Sequence, residues 1–145
     1  MIDGPRRAAE PTRDPQSHAV IGAAIEVHRH LGAGLLEGIY RDALAEELRR
    51  RAIPVSTELR LPVHYKGVRI AHPLRMDLVA FGALIIEVKA VATLLSVHHA
   101  QLATYLRLSG LPTGLLINFQ CTRVVDGIYR MDRHALRPMP LCPSA

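Results

Sequence analysis

The sequence predicts an α/β (α+β) fold with a central mixed β-sheet flanked by helices, in the order ααβββαββ. Two amphipathic helical patterns come first, short strand-like runs joined by turns follow, and a further helix lies between two buried apolar runs. A helix between two strands lets those strands run parallel, whereas a short turn makes neighbouring strands antiparallel. The predicted sheet is therefore mixed, with three consecutive antiparallel strands and one crossover helix.

Two helices are predicted in the first third of the chain. Apolar residues recur at helical spacing over His18–Leu31, and Gly32 and Gly34 end that pattern. A second helix is predicted over Leu35–Arg51, before Pro54. Its apolar stripe consists of Leu36, Ile39, Tyr40, Ala43, Leu44 and Leu48.

Short β-like runs follow the two helices. Val55–Tyr65 and Val68–Ala71 flank Lys66-Gly67, which is typical of a hairpin turn. Leu74–Phe81 returns to Leu84–Val91 through a second glycine turn. The run Leu84–Val91 is nearly all apolar, as is typical of a central strand. These runs predict two connected hairpins.

The last third of the chain predicts one helix and two strands. The helix covers Leu94–Ser109 and ends before Gly110. A buried strand follows over Thr113–Phe119, and a last strand over Val124–Met131 is turned or bulged at Asp126-Gly127.

Length and composition favour one folded domain. The chain has 145 residues, of which 49% are apolar and 21% are charged. We predict a single domain over residues 18–137, between flexible proline-containing tails at 1–17 and 138–145. The sequence has no apolar run of membrane-spanning length and no signal-peptide core, and its two cysteines give no disulfide framework. A cytoplasmic protein without a membrane partner is expected.

The basic residues point to an anionic partner and single out one lysine. The formal net charge of +5 favours nucleic acid as that partner. Sixteen of the 18 basic residues are arginine, and the two lysines are Lys66 and Lys89. Lys66 lies in a predicted turn, whereas Lys89 lies in an apolar strand. Because lysine can lose its proton and arginine effectively cannot, Lys89 is a candidate for chemistry.

Two carboxylates are predicted to lie beside Lys89. Side chains alternate along a strand, so Glu87 and Lys89 share one face. The turn after Phe81 folds the preceding strand back and brings Asp77 close to Glu87. Two adjacent carboxylates repel each other unless a cation lies between them, and hard oxygen ligands select Mg²⁺ or Mn²⁺. A lysine at such a site can orient or activate an attacking water.

The same residues also allow simpler interpretations than a metal site. Glu87 and Lys89 could form an ion pair at the sheet edge, but that pair leaves Asp77 unexplained. The spacings of the histidines and cysteines match no closed zinc module, and no G-x-S-x-G motif supports a Ser–His–Asp enzyme. The residues considered for zinc are His28, His30, His98, His99 and Cys121.

The D-x9-E-x-K arrangement resembles the PD-(D/E)xK nuclease superfamily. The spacing of Gly34, Glu37 and Tyr40 is G-x-x-E-x-x-Y. Together with three later segments in the same order, this spacing is similar to the GxxExxY family within that superfamily. Those segments are 86–91 (IEVKAV), 101–106 (QLATYL) and 114–119 (GLLINF). The resemblance covers residues 18–131.

The resemblance implies an αβββαβ core in which Asp77, Glu87 and Lys89 form the active site. Glu37 matches the additional acidic residue beside the metal. Gln101 and Tyr105 match a Q-x-x-x-Y element after the E-x-K strand. Met76 stands where the superfamily name has proline, at a position that varies widely.

We therefore expect a metal-dependent nuclease acting on DNA, in which Asp77 and Glu87 hold Mg²⁺ or Mn²⁺, Lys89 assists the attacking water and Glu37 supports the metal. Gln101, His98 and Tyr105 are expected to hold the nucleic acid strand, since they lie on one face of a helix. The alternatives are a catalytically silent module that binds nucleic acid or a protein partner, and a stand-alone metal binder. Homo-oligomerisation is left open.

Overall fold

The computed structural model describes residues 6–7 and 14–136. Its helices are α1 (Pro15–Leu31), α2 (Glu37–Arg50) and α3 (Ser96–Ser109). Its strands are β1 (Arg6–Arg7), β2 (Val55–Leu61), β3 (His64–Tyr65), β4 (Val68–Arg69), β5 (Leu74–Ala80), β6 (Leu84–Lys89), β7 (Thr113–Asn118) and β8 (Ile128–Asp132). Short 3-10 helices cover Val124–Gly127 and Arg133–Ala135. Within these described ranges, none of the helices has the length and apolar character needed to cross a membrane.

Six strands form one mixed sheet in the order β1-β8-β7-β6-β5-β2. Strands β6 and β7 are parallel and are joined through α3, whereas all other neighbouring strands are antiparallel. This architecture confirms the predicted α+β class, with three antiparallel strands before a crossover helix. The start of β5 and the C-terminal ends of β6 and β7 therefore lie at the same end of the sheet.

Each face of the sheet is covered by its own apolar cluster. Helices α1 and α2 pack on one face, where Leu78 and Ile86 are buried among their side chains. Helix α3 packs on the opposite face, against Met76, Val79 and Ile85. Met76 and Leu78 therefore pack on opposite faces although they are two residues apart. The alternation of β5 is interrupted between them, at residue 77.

The first two helices differ from the prediction at their N-termini. Helix α1 begins at Pro15 instead of His18, because the Asp14 side chain accepts a hydrogen bond from the Gln16 N–H and caps the helix. Helix α2 begins at Glu37, so Leu36 precedes the helix and is 78% exposed. Leu36 and Ile39 are exposed and do not belong to the buried stripe that the sequence predicted.

The predicted tails are described only in part. Arg6 and Arg7 pair with Arg130 and Tyr129 as an edge strand, so the segment 1–17 contains regular structure at these two positions and at the start of α1. The rest of the predicted tail at 1–13, and the whole of 138–145, lie outside the described residues.

The predicted pair of connected hairpins is wrong in one respect. Strand β2 ends at Leu61 and pairs directly with β5, where Leu61 lies opposite Leu74. Strands β3 and β4 form a separate two-stranded hairpin between them. Pro62 follows β2 and has no N–H to continue its ladder, which explains the break. The predicted Lys66-Gly67 turn is confirmed, with φ of 48° and 82° at its two central residues.

The last predicted strand is correct only in its second half. Val124–Gly127 forms a 3-10 helix, and β8 begins at Ile128. A Cβ atom at Gly127 would lie 2.5 Å from the Asn118 carbonyl oxygen. Glycine therefore allows this 3-10 helix to pack against the end of β7, which a continuous strand over the same residues would not do.

Candidate active site

The centre of the site is a pair of carboxylates that exchange hydrogen bonds between two strands. The ladder between β5 and β6 ends at the pair Leu78 and Ile86, and the next position places Asp77 opposite Glu87. The Asp77 N–H donates to Glu87 Oε1 over 3.2 Å, and the Val88 N–H donates to Asp77 Oδ2 over 2.9 Å. Each side chain thus satisfies a backbone donor of the opposite strand where the ladder ends.

Burial makes this carboxylate pair hard to ionise. Glu87 is 2% exposed, and burial together with the nearby Asp77 charge raises its pKa to about 8. Burial also raises the pKa of Asp77, although the Val88 N–H and the charge of Lys89 oppose that rise. The metal-free pair therefore favours a bound proton or another cation near neutral pH.

Lys89 lies beside the pair without forming an ion pair. Its side chain follows Glu87 on β6 and is half-buried, and its charge acts to lower the pKa of both Asp77 and Glu87. Among the described residues, no carboxylate oxygen lies within 4.0 Å of its ammonium nitrogen. The simple Glu87–Lys89 ion pair considered from the sequence is therefore absent.

Glu37 approaches the same site from α2. It is the first residue of that helix and is half-buried, and its negative charge contributes to the raised pKa of Glu87. Across residues 14–136, no three His, Cys, Asp or Glu side chains are grouped closely enough to hold a metal ion together. The charge of Glu37 thus influences the pKa of Glu87, but Glu37 does not form a three-residue ligand set with Asp77 and Glu87.

The Gly34 and Tyr40 positions of the motif hold the loop before Glu37. Gly34 has φ of 102°, a conformation that favours glycine, and its N–H donates to Gln120 Oε1 over 3.0 Å. The Tyr40 hydroxyl donates to the Gly32 carbonyl and accepts from the Leu35 N–H. These contacts determine where α2 begins and therefore where Glu37 lies.

The three residues of α3 that were predicted to hold the nucleic acid strand have different contacts. Tyr105 is buried, and its pKa is raised by burial and by the Glu87 charge. The Gln101 amide donates to the Tyr105 hydroxyl over 2.9 Å, so both lie beside the site. His98 Nδ1 instead accepts from the Leu95 N–H and caps the helix. His99 packs edge-on against Tyr129, away from this group.

Arg41 and Glu58 lie near the pair and were missed by sequence reasoning. The positive charge of Arg41 lowers the pKa of Asp77, and its guanidinium lies 3.6 Å from Glu58. Glu58 lies on β2 between Thr57 and Leu59, which pair with Leu78 and Met76, and has φ of 49°, a left-handed conformation that is unusual for glutamate. Arg41 follows Glu37 by four residues, so helical spacing was a signal that could have found it.

Asn118 is a third residue whose role the sequence did not assign. It is almost fully buried, and its side-chain amide bonds both the N–H and the carbonyl of Val91. The Phe119 N–H donates to the Lys89 carbonyl. Together these bonds continue the pairing of β6 and β7 past Lys89, and so they hold the backbone that carries that lysine.

The fold and site define an α+β domain with an acidic pair and a lysine at one end of a mixed sheet. A family model described as PD-(D/E)XK nuclease superfamily matches residues 14–131, and the chain belongs to this superfamily. No curated protein and no solved structure matches the chain significantly. Nucleases of this superfamily generally use divalent metals.

The carboxylate pair fits a hard divalent cation. Asp77 and Glu87 each use one oxygen for a backbone N–H, and the second oxygen of each has no hydrogen bond among the described residues. Such cations are commonly held by one or two carboxylates, with water and phosphate completing the ligand set. Burial and the Asp77 charge raise the pKa of Glu87 more than the Lys89 charge lowers it, so a cation bound between the carboxylates would stabilise their ionised form.

Tyr40→Phe should destabilise the protein, because it removes both hydrogen bonds that hold the loop between α1 and α2. We expect a loss of about 1–3 kcal/mol in the free energy of unfolding, and a melting temperature lower by about 3–8 °C. Thermal unfolding measures this. Tyr129→Phe is the matched control, since its hydroxyl has no hydrogen bond to the described residues. Equal stability of wild type and Tyr40→Phe would contradict the role of the hydroxyl.

Glu87→Gln should stabilise the metal-free protein at high pH. The pKa of Glu87 is about 8 in the folded protein against 4.5 for the ordinary side chain. The folded state therefore binds more protons between these values, and stability falls as pH rises from about 4.5 to 8. With a chelator at pH 8, we expect the variant to melt about 3–6 °C above wild type, with the difference shrinking towards pH 5.

Glu46→Gln on the exposed face of α2 is the matched control for the loss of one negative charge. A constant difference between Glu87→Gln and wild type from pH 5 to pH 8 would show that Glu87 does not titrate in this way.

Proposed function

We propose that this protein is a metal-dependent nuclease of the GxxExxY group that hydrolyses phosphodiester bonds of DNA. The observation that carries the proposal is the pair formed by the half-buried Asp77 and the buried Glu87, with an unpaired lysine following Glu87 on the same strand. Burying two adjacent carboxyl groups reduces the free energy of unfolding, and groups with perturbed pKa values are concentrated at functional sites. The superfamily assignment supports a nucleic acid substrate.

Asp77 and Glu87 would hold Mg²⁺ or Mn²⁺ through the oxygens that the backbone does not use. When bound, the cation supplies Lewis-acid stabilisation of the charge that develops on the phosphate. The two backbone N–H groups keep the carboxylates oriented in the absence of metal, so little rearrangement is needed on binding. Glu37 would support the site through a water molecule, consistent with its position outside a direct ligand set.

Lys89 would orient the attacking water and accept or share its proton. Its ammonium group is free of ion pairs with the described residues, and it is close enough to the pair to lower both carboxylate pKa values. A lysine can act as a proton acceptor after a shift in its pKa, whereas the guanidinium of arginine cannot. Proton transfer by a positioned group contributes about 10²–10⁴-fold to rate.

Gln101 and Tyr105 would contact the strand beside the cleaved bond. They lie one turn apart on α3 and are hydrogen-bonded to each other. The Tyr105 hydroxyl is close enough to Glu87 for the Glu87 charge to raise its pKa. The contribution of His98 would be limited to its Nε2 atom, because Nδ1 is occupied at the helix N-terminus. The net charge of +5 would supply attraction to the phosphates.

A catalytically silent module that binds nucleic acid is the second candidate. The observation in its favour is that the described residues provide no three-residue cluster for a metal. Both candidates predict DNA binding, and only the first predicts cleavage that requires Lys89.

Lys89→Arg should reduce metal-dependent cleavage by about 10²-fold or more, because arginine keeps the charge and cannot give up its proton. Cleavage of labelled DNA with Mg²⁺ or Mn²⁺, together with thermal unfolding and DNA binding, measures the effect. Folding and binding should be retained. Wild-type cleavage by Lys89→Arg would exclude proton transfer by this residue, and absence of cleavage in the wild type would favour the silent module.

Metal addition should stabilise the wild type and restore its cleavage after chelation. A ligand that binds only the folded state at about 100 times its dissociation constant contributes about 2.7 kcal/mol. We therefore expect Mg²⁺ or Mn²⁺ to raise the melting temperature of the wild type at pH 8. The Asp77→Asn and Glu87→Gln variants should show a much smaller rise. An equal rise in all three proteins would place the cation elsewhere.

A further inference from the structure

The hairpin between β2 and β5 carries a concentration of positive charge that the proposed function does not use. Residues 60–75 contain four fixed cations and two histidines, and no aspartate or glutamate. The cations are Arg60, Lys66, Arg69 and Arg75, and all four are exposed. In the part of the chain that the structure describes, none of them has a carboxylate oxygen within 4.0 Å.

The strand register places two arginines opposite each other in this segment. Arg60 lies opposite Arg75 at the base of the hairpin, and His64 lies opposite Arg69 within it. Like charges directly across a ladder are destabilising. Several arginines outside this segment are paired with carboxylates, as Arg50 is with Glu46 in α2. An anion bound near the base of the hairpin would relieve the repulsion between Arg60 and Arg75.

The hairpin leaves the sheet at the same end as the candidate active site. Strand β2 ends at Leu61 and β5 begins at Leu74, opposite it. Asp77 follows Leu74 by three residues, which corresponds to about 10 Å along a strand. An anionic polymer that crosses the hairpin therefore reaches the carboxylate pair without leaving the protein surface.

The shape of the hairpin favours a duplex. A two-stranded β-ribbon fits the major groove of B-form DNA, whereas the deep, narrow major groove of A-form RNA does not admit one. Tyr65 and Val68 flank the turn and are 62% and 64% exposed. Apolar groups at a ribbon tip can contact base edges while flanking cations contact phosphates.

We propose that the β3–β4 hairpin, with Arg60 and Arg75 at its base, inserts into the major groove of duplex DNA and positions the duplex at the carboxylate pair. This inference rests on the proposed function and specifies its substrate as double-stranded. The hairpin is the docking element, and the chemistry stays with Asp77, Glu87 and Lys89.

The double variant Lys66→Gln/Arg69→Gln tests the hairpin. Both side chains lie outside the six-stranded sheet, so the fold should be retained. The control is Arg49→Gln/Arg50→Gln, which removes the same charge at the end of α2, about 20 Å from Glu37 along the helix. Binding of the full chain to a labelled duplex and to its separated strand is measured with a chelator present, over a series of salt concentrations.

We expect the hairpin variant to bind the duplex about tenfold or more weakly, with a salt dependence reduced by about two counterions. The control should bind like wild type, and the separated strand should show a smaller loss. Equal losses for hairpin and control variants, equal losses for duplex and single strand, or no duplex binding by the wild type would each overturn the proposal. Because binding is measured without metal, it does not depend on cleavage. A protein that binds through the hairpin but cleaves no DNA when Mg²⁺ or Mn²⁺ is added would refute the nuclease and leave the docking inference intact.

Discussion

The site depends on two hydrogen bonds between β5 and β6, in which the Asp77 N–H donates to the Glu87 carboxylate and the Val88 N–H donates to the Asp77 carboxylate. Where the β5–β6 ladder stops, two carboxylates satisfy backbone donors that would otherwise be left unpaired. The same bonds hold two negative groups together in a buried place, and the result is a pKa of about 8 for Glu87. The same two side chains therefore do two things. They accept hydrogen bonds from backbone N–H groups at the end of the ladder, and they form a carboxylate pair that a bound cation would stabilise.

The end of β7 connects the two halves of this site. Asn118 holds the Val91 backbone just after Lys89, and the Phe119 ring stacks on Tyr40 with 4.6 Å between ring centres. Gln120 accepts from the Gly34 N–H in the loop that leads to Glu37. Three consecutive residues therefore fix the strand that carries the lysine and the helix that carries the additional glutamate. The spacing of the G-x-x-E-x-x-Y motif follows from these contacts.

Charge is distributed unevenly around this centre. At the end of α2, two arginines are paired with carboxylates one turn away, Arg50 with Glu46 and Arg51 with Glu47. The four cations between β2 and β5 have no such partners among the described residues, and Arg60 faces Arg75 across the ladder. Acidic groups are concentrated at the carboxylate pair, where Glu37 and Glu58 add to the repulsion. A negative centre beside a positive hairpin suits a cation and a polyanion bound together.

The sequence by itself determined the fold class and the local geometry of Glu87, Lys89 and Asp77. Strand alternation and a short glycine turn act over a few residues, so they can be read from spacing alone. Only the tertiary structure decided the capping role of His98, the approach of Arg41, and the separation of the β3–β4 hairpin from the main sheet. Asn118 and Gln120 likewise find their partners 27 and 86 residues away. Such contacts depend on how distant segments pack, and a local pattern does not encode that packing.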